Sequence, residues 1–240
     1  YCDKARWALD HKGLDYDVVN LMPGEHLRRI KKLTRGAGHT VPLLCDGDET
    51  ILGSAQILSH LDASYPHTPC LTPTDPTQEA ATRQWETLAD EIIGPSVRRV
   101  LYWELFKDSQ LTREVMQEGL DLRRKLLLSM ALPVLKRVMR KGMQIDAVHV
   151  ERSTNALLEA FEKLCDHHTS TGSDYLVGDT FTRADIAVSA LLRPMLRGPD
   201  GEVPVKLLTE PLSTQLHALR WILDVYEKHR NTPTTVHATT

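Results

Sequence analysis

The stretch YCDKARWALDHKGLDYDVV, residues 1–19, decides the fold class because a helix in it runs directly into a strand. The apolar residues Ala5, Ala8 and Leu9 recur at helical spacing, and Gly13 stands where a left-handed helix cap is favoured. The β-branched segment DYDVVNL follows at once and is typical of a short strand. The sequence therefore predicts a mixed α/β unit that begins with a helix.

The next segments extend this unit to residue 66. EHLRRIKKLT, residues 25–34, carries an apolar stripe among basic residues, which predicts a surface helix. TVPLLCD and ETILG are separated by a short GD turn and predict a β-hairpin. Ser54 is placed to cap the helix that follows, which runs up to Tyr65.

Composition beyond residue 66 predicts a linker and a second domain. Residues 67–78 are rich in proline and polar residues, as interdomain linkers are. Helical periodicity then dominates residues 79–230, which predicts an all-helical domain. The tail at 231–240, NTPTTVHATT, is predicted to be disordered.

The net charge and the cysteine content limit which partners and which cellular compartment are expected. The formal net charge is −3 and the sequence pI is about 6.4, which gives no reason to expect nucleic acid or a membrane as a partner. No stretch approaches the roughly 20 apolar residues that cross a bilayer. The four cysteines are scattered without paired spacing, which favours a reducing compartment, and we expect a cytoplasmic protein.

The order helix, strand, helix, hairpin, helix lacks the strand that would complete a βαβ unit before the first helix. Together with TVPLL, ILGSAQILSHLD and YLVGDTFTRADIAVSALL, this order resembles the glutathione transferase family. The resemblance covers nearly all of residues 1–75 and a short part of the helical domain. It implies an α/β thioredoxin-like domain, truncated at its N-terminus by one strand, followed by an all-α helical-bundle domain.

The resemblance implies that glutathione is the co-substrate. A cis bond before Pro42 would expose the backbone of Val41 to an extended peptide. Ser54 opens a helix whose free N–H groups favour a carboxylate. The implied glutathione-binding residues are Thr40, Val41, Pro42, Gly53 and Ser54.

Gly53 departs from the family pattern, in which an acidic residue or glutamine usually precedes the serine and meets the amino group of glutathione. Either Gln56 or a carboxylate of a partner subunit compensates, or glutathione binds weakly. This departure makes the amino-group contact the open point of the predicted site.

The resemblance places the main catalytic residue of the usual serine and cysteine classes two positions before Tyr1, outside this sequence. Cys2 falls where a glutaredoxin-type CxxC motif has its second cysteine, so it is a candidate catalytic residue. The alternative is a half-buried cysteine that packs under the first helix.

Two further motifs are interpreted as structural. Thr182 and Asp185 have the spacing of a capping box that starts a core helix of the second domain, with no catalytic role. His167 and His168 have no carboxylate or cysteine at metal-ligand spacing, and no metal site is predicted.

Residues 120–142 contain seven basic residues and one acidic residue. We interpret them as a helical hairpin bent near Pro133, with basic side chains on the outer face and the leucines packed inward. An amphipathic membrane-surface segment or a partner-binding helix is the alternative. The region is also a candidate wall for an apolar second substrate.

The leading hypothesis is a glutathione transferase-like detoxification enzyme that holds the glutathione thiolate for attack on a small apolar electrophile. A glutathione-dependent thiol reductase is the first alternative, and a non-catalytic binding or scaffolding protein of the same fold is the second. The family further implies a homodimer.

Overall fold

The computed structural model describes residues 1–21, 24–117, 119–196, 212, 217–230 and 236–239. The first domain alternates helices with short strands, in the predicted order. β2 and β3 form an antiparallel hairpin in which Leu43 lies opposite Leu52. The elements are α1 (Cys2–His11), β1 (Tyr16–Val19), α2 (Glu25–Leu33), β2 (Leu43–Asp46), β3 (Glu49–Leu52) and α3 (Ser54–Ser64).

The helical domain begins inside the predicted linker. Asp75 accepts a hydrogen bond from the backbone N–H of Gln78, and Pro76 occupies the first turn, so the helix starts at residue 76. The elements are α4 (Pro76–Thr87), a π-helical turn (Leu88–Ile93), α5 (Gly94–Leu105), α6 (Ser109–Gln117), α7 (Leu122–Gly142), α8 (Ala147–Thr171), α9 (Arg183–Leu196), a 3-10 turn (His217–Leu219) and α10 (Arg220–Arg230). Residues 197–211 and 213–216 lie outside the described part.

The C-terminal tail differs from the prediction of disorder. Strand β4 (Val236–Thr239) pairs in parallel with β1, with Val236 opposite Tyr16. The edge of a strand carries backbone N–H and C=O groups that need hydrogen-bond partners. The backbone of the tail provides these partners for β1. Residues 231–235 and 240 lie outside the described part.

The two largest of three apolar clusters in the described residues organise the core. The larger one lies within the helical domain and includes Ile93, Phe161 and Leu192, all fully buried. The second joins the two domains because Trp7 of α1 and Leu58 of α3 pack with residues of α9. Helix α9 is therefore one of the elements that connect the helical domain to the first domain.

The start of α9 has the hydrogen bonds of a capping box. Asp185 accepts from the backbone N–H of Thr182 at 2.8 Å and from its hydroxyl at 3.0 Å. It also accepts from the backbone N–H of Leu176 at 2.8 Å. Burial raises the pKa of Asp185 to about 6, and the hydrogen bonds only partly offset this rise.

Helix α7 corrects the prediction for residues 120–142. It is one continuous helix through Pro133, and α6 is its partner in the hairpin. Leu128 and Leu132 are buried as expected, whereas Leu122 and Leu126 are exposed. The prediction of inward leucines was wrong for Leu122 and Leu126, because apolar residues occupy the outward side of the helix as well as the inward side. In the described residues, no helix has the length and apolar character that a membrane span needs.

Candidate functional site

A cavity of about 470 Å³ lies between the first domain and the helical domain. This volume is in the usual range for small-molecule sites. The first domain forms one wall of the cavity, and the five residues predicted to bind glutathione all lie in that wall. They are Thr40, Val41, Pro42, Gly53 and Ser54.

Backbone groups hold the first-domain wall together. The peptide bond between Val41 and Pro42 is cis. The N–H of Gly53 donates to the carbonyl oxygen of Pro42 at 3.0 Å, which joins the end of β3 to the start of β2. The loop before the hairpin and the start of α3 therefore form one surface.

The start of α3 presents free backbone donors. Gly53, not Ser54, is the N-cap residue, so the predicted cap was wrong by one position. Gly53 has φ of 93°, a conformation that side chains disfavour, which explains why glycine occupies the turn. No side chain caps the helix, and Ser54 is its first residue. The first-turn N–H groups give this wall a partial positive charge.

Gln56 occupies the space that a side chain at residue 53 would take. A Cβ atom added to Gly53 would lie 2.6 Å from Oε1 of Gln56. Gln56 itself lines the cavity. In the family, the side chain of the residue before the serine usually occupies this space. Here residue 53 is a glycine, and the carboxamide of Gln56 takes that place.

The helical domain supplies the second wall, which is mainly charged. Glu86 comes from α4, Asp90 and Glu91 from the π-helical turn, and Arg98 from α5. A π-helical turn is often found at functional sites. This wall was not predicted from the sequence.

A buried cluster of charges supports the second wall from below. Nζ of Lys4, which is fully buried, lies 2.9 Å from Oε1 of Glu86 and 2.6 Å from Oδ2 of Asp90. The guanidinium of Arg183, also fully buried, forms an ion pair with Glu86 at 2.9 Å. Two cations and two anions therefore compensate one another behind and within the second wall of the cavity, and we call these four residues the buried ion cluster.

The buried ion cluster also fixes the first wall. Nη2 of Arg183 donates to the carbonyl oxygen of Ala55 at 2.7 Å, and Nη1 donates to the hydroxyl of Ser59 at 3.0 Å. Arg183 thus connects α9 to the first turn of α3. The sequence contains one indication of the buried ion cluster: KARWAL and TFTRAD each carry a charged residue on an apolar helix face. The partners of these two residues are far away along the chain.

Asp90 keeps one carboxylate oxygen without a partner. Oδ2 pairs with Lys4, whereas Oδ1 is buried and has no hydrogen-bond partner among the described residues. A buried acceptor without a donor is costly, and Asp90 lines the cavity. Asp90 therefore contributes negative charge to the cavity wall, while Oδ1 itself is not accessible from the cavity.

Tyr1 lies at the junction of the two walls. Its hydroxyl donates to the backbone carbonyl of Asp90 at 2.6 Å. Burial, helped by the negative charge of Asp90, raises the pKa of the Tyr1 hydroxyl to about 12. The ring packs against Gly94, where an added Cβ would lie 2.6 Å from the hydroxyl oxygen. Tyr1 thus stays protonated, and its proton is engaged with the protein.

Cys2 is not brought into the cavity. Cys2 is exposed as a whole residue, although protein atoms surround its thiol closely enough to desolvate it, and it is not among the residues that line the cavity. Desolvation by the surrounding protein raises the pKa of its thiol. These properties do not favour a thiolate at Cys2 near neutral pH.

Two other predictions concern regions away from these walls. Helix α7 contributes no residue to the cavity, so the candidate wall for an apolar substrate is not formed there. Within the part of the chain that the structure describes, no group of three or more histidine, cysteine, aspartate or glutamate residues is arranged to hold a metal ion.

Comparison with protein families identifies both domains. The glutathione S-transferase N-terminal domain model matches residues 1–69, and the C-terminal domain model matches residues 127–228. The chain belongs to the glutathione transferase family. The first wall of the cavity lies within the residues that the N-terminal model matches, whereas the residues of the second wall lie between the two matched ranges.

Curated relatives in the glutathione transferase family match part of the chain. The sequence is 37% identical to glutathione S-transferase Z2 of Arabidopsis thaliana over 101 residues, 41% of this chain and 44% of that protein. It is 32% identical to glutathione S-transferase 1 of Manduca sexta over 127 residues, 51% of this chain and 58% of that protein. The matches thus span about half the length of these relatives.

Solved structures show the same fold. A glutathione S-transferase of Ceriporiopsis subvermispora, in complex with glutathione, superposes with a TM-score of 0.65 at 18% identity, covering 96% of this chain and 90% of that one. A beta-etherase of Sphingobium sp. strain SYK-6 superposes with a TM-score of 0.58 at 20% identity, covering 94% and 93%. These likenesses support a thioredoxin-like domain followed by a helical domain.

Proposed function

We propose that this glutathione transferase family member binds glutathione in the cavity and promotes attack of its thiolate on a small apolar electrophile. Glutathione carries two carboxylates, one ammonium group and a thiol. The observation that supports the proposal best is the pairing of two unlike walls. One wall offers the free N–H groups of α3, and the other offers the carboxylates of Asp90 and Glu91.

The first wall suits the γ-glutamyl carboxylate. Free N–H groups and the helix dipole at the start of α3 favour an anion. The hydroxyl of Ser54, at the first position of the helix, adds a donor beside them. Val41 and Pro42 line the same wall, where an extended peptide can run along the backbone.

The second wall suits the ammonium group of glutathione. Gly53 has no side chain that could bind this group. Asp90 lines the cavity with a negative charge, and Glu91 adds an exposed carboxylate on the same π-helical turn. Gln56 adds a neutral acceptor beside Gly53. The charge that the family usually places before the serine is thus supplied, in this proposal, by the helical domain of the same chain.

Arg98 supplies the positive charge for the sulfur anion. It lines the cavity, and its charge acts on the Tyr1 hydroxyl at the junction of the walls. In the proposed reaction the glutathione thiol loses its proton to solvent, the sulfur forms a bond to the electrophilic carbon, and the leaving group departs with its electron pair. Holding the thiolate beside the electrophile provides the rate enhancement.

The two alternatives are less well supported. A thiol reductase needs an accessible reactive thiol at the site, and Cys2 lies outside the cavity with a raised pKa. A non-catalytic protein of the same fold is consistent with the cavity, but this alternative gives no role to the positive charge of Arg98 in the cavity wall. Detoxification in the cytoplasm by a homodimer belongs to the same proposal and rests on the family.

Calorimetric titration with glutathione, followed by turnover of a chromogenic electrophile, tests the proposal. We expect saturable binding and glutathione-dependent turnover, both weakened by Ser54→Ala. Glu151→Gln, at an exposed site on α8, is the control and should change neither. Binding without turnover would favour the non-catalytic alternative, and absence of binding would contradict the proposal.

A further inference from the structure

The outward side of α7 carries an apolar surface that nothing in the described structure covers. Five large apolar residues recur at intervals of four along α7, each rotated by about 40° from the one before, so that they form a continuous band winding along the helix. Each of them is between 60% and 86% exposed. Soluble proteins rarely leave so continuous an apolar surface without a partner. We call these residues the α7 stripe: Leu122, Leu126, Met130, Val134 and Val138.

The inward side of α7 is already occupied, so the helix cannot turn to bury the stripe. Leu128 and Leu132 are buried against the rest of the domain. Nε2 of Gln117 in α6 donates to the hydroxyl of Ser129 at 2.6 Å. Lys136 and Arg140 lie over the ring of Phe106, at 5.5 and 5.6 Å from its centre. These contacts hold the stripe toward solvent.

Basic residues flank the apolar centre of the stripe. Arg123 and Arg124 lie at the beginning of α7, and Arg137 and Lys141 lie near its end. All four are exposed. The single acidic residue of this region, Asp121, is the N-cap of the helix. An apolar surface bounded by basic residues at both ends needs a partner that is apolar and negatively charged.

A second α7 helix does not meet this requirement. Antiparallel pairing would bring Arg123 of one copy toward Lys141 of the other, and parallel pairing would bring each basic residue toward its own copy. Both arrangements place like charges together, which is unfavourable in a desolvated interface. The charge pattern thus disfavours self-association through this helix.

We propose that α7 binds the surface of anionic phospholipid membranes. The stripe enters the boundary between headgroups and acyl chains, and the flanking basic residues pair with anionic headgroups. This inference departs from the expectation of no membrane partner, which rested on the charge of the whole chain. The local charge of α7 is opposite in sign to the net charge.

Vesicle flotation of the full chain tests this proposal. We expect the protein to float with vesicles of phosphatidylcholine and phosphatidylglycerol, but not with phosphatidylcholine alone, and to be released by salt. Met130→Glu should lower the partition coefficient by about tenfold or more, because a large apolar side chain no longer leaves water. Val148→Glu, at an exposed valine of α8 outside the stripe, is the matched control and should leave flotation unchanged.

Four outcomes would overturn the proposal. They are no flotation with either vesicle, equal flotation with both, equal loss in the Met130→Glu and Val148→Glu variants, or a dimer that Met130→Glu dissociates without any vesicle binding. Circular dichroism checks that each variant is folded. Val134→Glu repeats the test at a second position of the stripe if Met130→Glu does not fold.

Discussion

The two walls of the cavity are built in different ways. The first-domain wall consists largely of backbone, with a cis bond before Pro42, a glycine turn at Gly53 and the free N–H groups of α3. The helical-domain wall consists of charged side chains that the buried ion cluster holds in place. We expect the stability of the first wall to depend mainly on its backbone conformation, and the stability of the second wall to depend on individual charges.

The largest expected loss of folding stability comes from a substitution in the second wall. Glu86→Gln leaves Lys4 and Arg183 buried without their shared anion, and breaking such a buried cluster costs about 3–5 kcal/mol. Urea unfolding measures the loss. Glu79→Gln changes an exposed glutamate of the same helix and should cost less than about 0.5 kcal/mol. Equal losses in the two variants would show that the cluster adds nothing beyond a surface charge.

The next effect is a pH dependence at the start of α9, which carries Arg183. The pKa of Asp185 is about 6 in the folded protein, against 3.8 for an ordinary aspartate, so the folded state binds the proton more tightly. The favourable contribution is complete below about pH 4 and is lost as the pH rises through about 6. Relative to Asp185→Asn, the wild type should lose on the order of 3 kcal/mol over this range. A difference that stays constant or grows with pH would contradict this account.

A smaller effect is expected on the first wall. Gly53→Ala places a side chain at φ of 93°, which costs about 1–2 kcal/mol. Adding Gln56→Ala should not restore stability, because the backbone conformation and not the contact with Gln56 is the main cause. Gly142→Ala, at an open site in the last turn of α7, should be neutral or slightly stabilising. Full rescue by the second substitution would assign the cost to the side-chain contact instead.

This difference between the walls also explains what could be predicted from the sequence. The residues of the first wall were predicted from the resemblance to the glutathione transferase family, and the motifs that carry this resemblance, TVPLL and ILGSAQILSHLD, are short local stretches of the sequence. The residues of this wall therefore lie together as expected. Only the exact cap, Gly53 rather than Ser54, was missed, because a cap depends on one residue's backbone angles.

The second wall depends on contacts between distant residues. Lys4 contacts Asp90 and Arg183 contacts Glu86, and the members of these pairs lie 86 and 97 residues apart in the sequence. No local pattern in KARWAL or TFTRAD predicts which residues these partners are. The π-helical turn that carries Asp90 and Glu91 was likewise read as ordinary helix, since its periodicity differs by only one residue.

Helix α7 and the tail show a further limit of sequence patterns. Leucine spacing predicts that a helix forms, and α7 does form, but the spacing does not say which of two apolar sides finds a partner. The tail is polar and short, yet 236–239 pairs with β1 through backbone groups that any sequence carries.

The most direct measurement compares the affinity of glutathione with that of N-acetylglutathione, in the wild type and in Glu91→Gln. If the helical-domain wall binds the ammonium group, Glu91→Gln should weaken glutathione binding about tenfold, as expected for one hydrogen bond to a charged group. The same substitution should leave the affinity for N-acetylglutathione unchanged, because that ligand has no ammonium group. An equal loss for both ligands, or no loss for glutathione, would contradict the division of roles between the two walls.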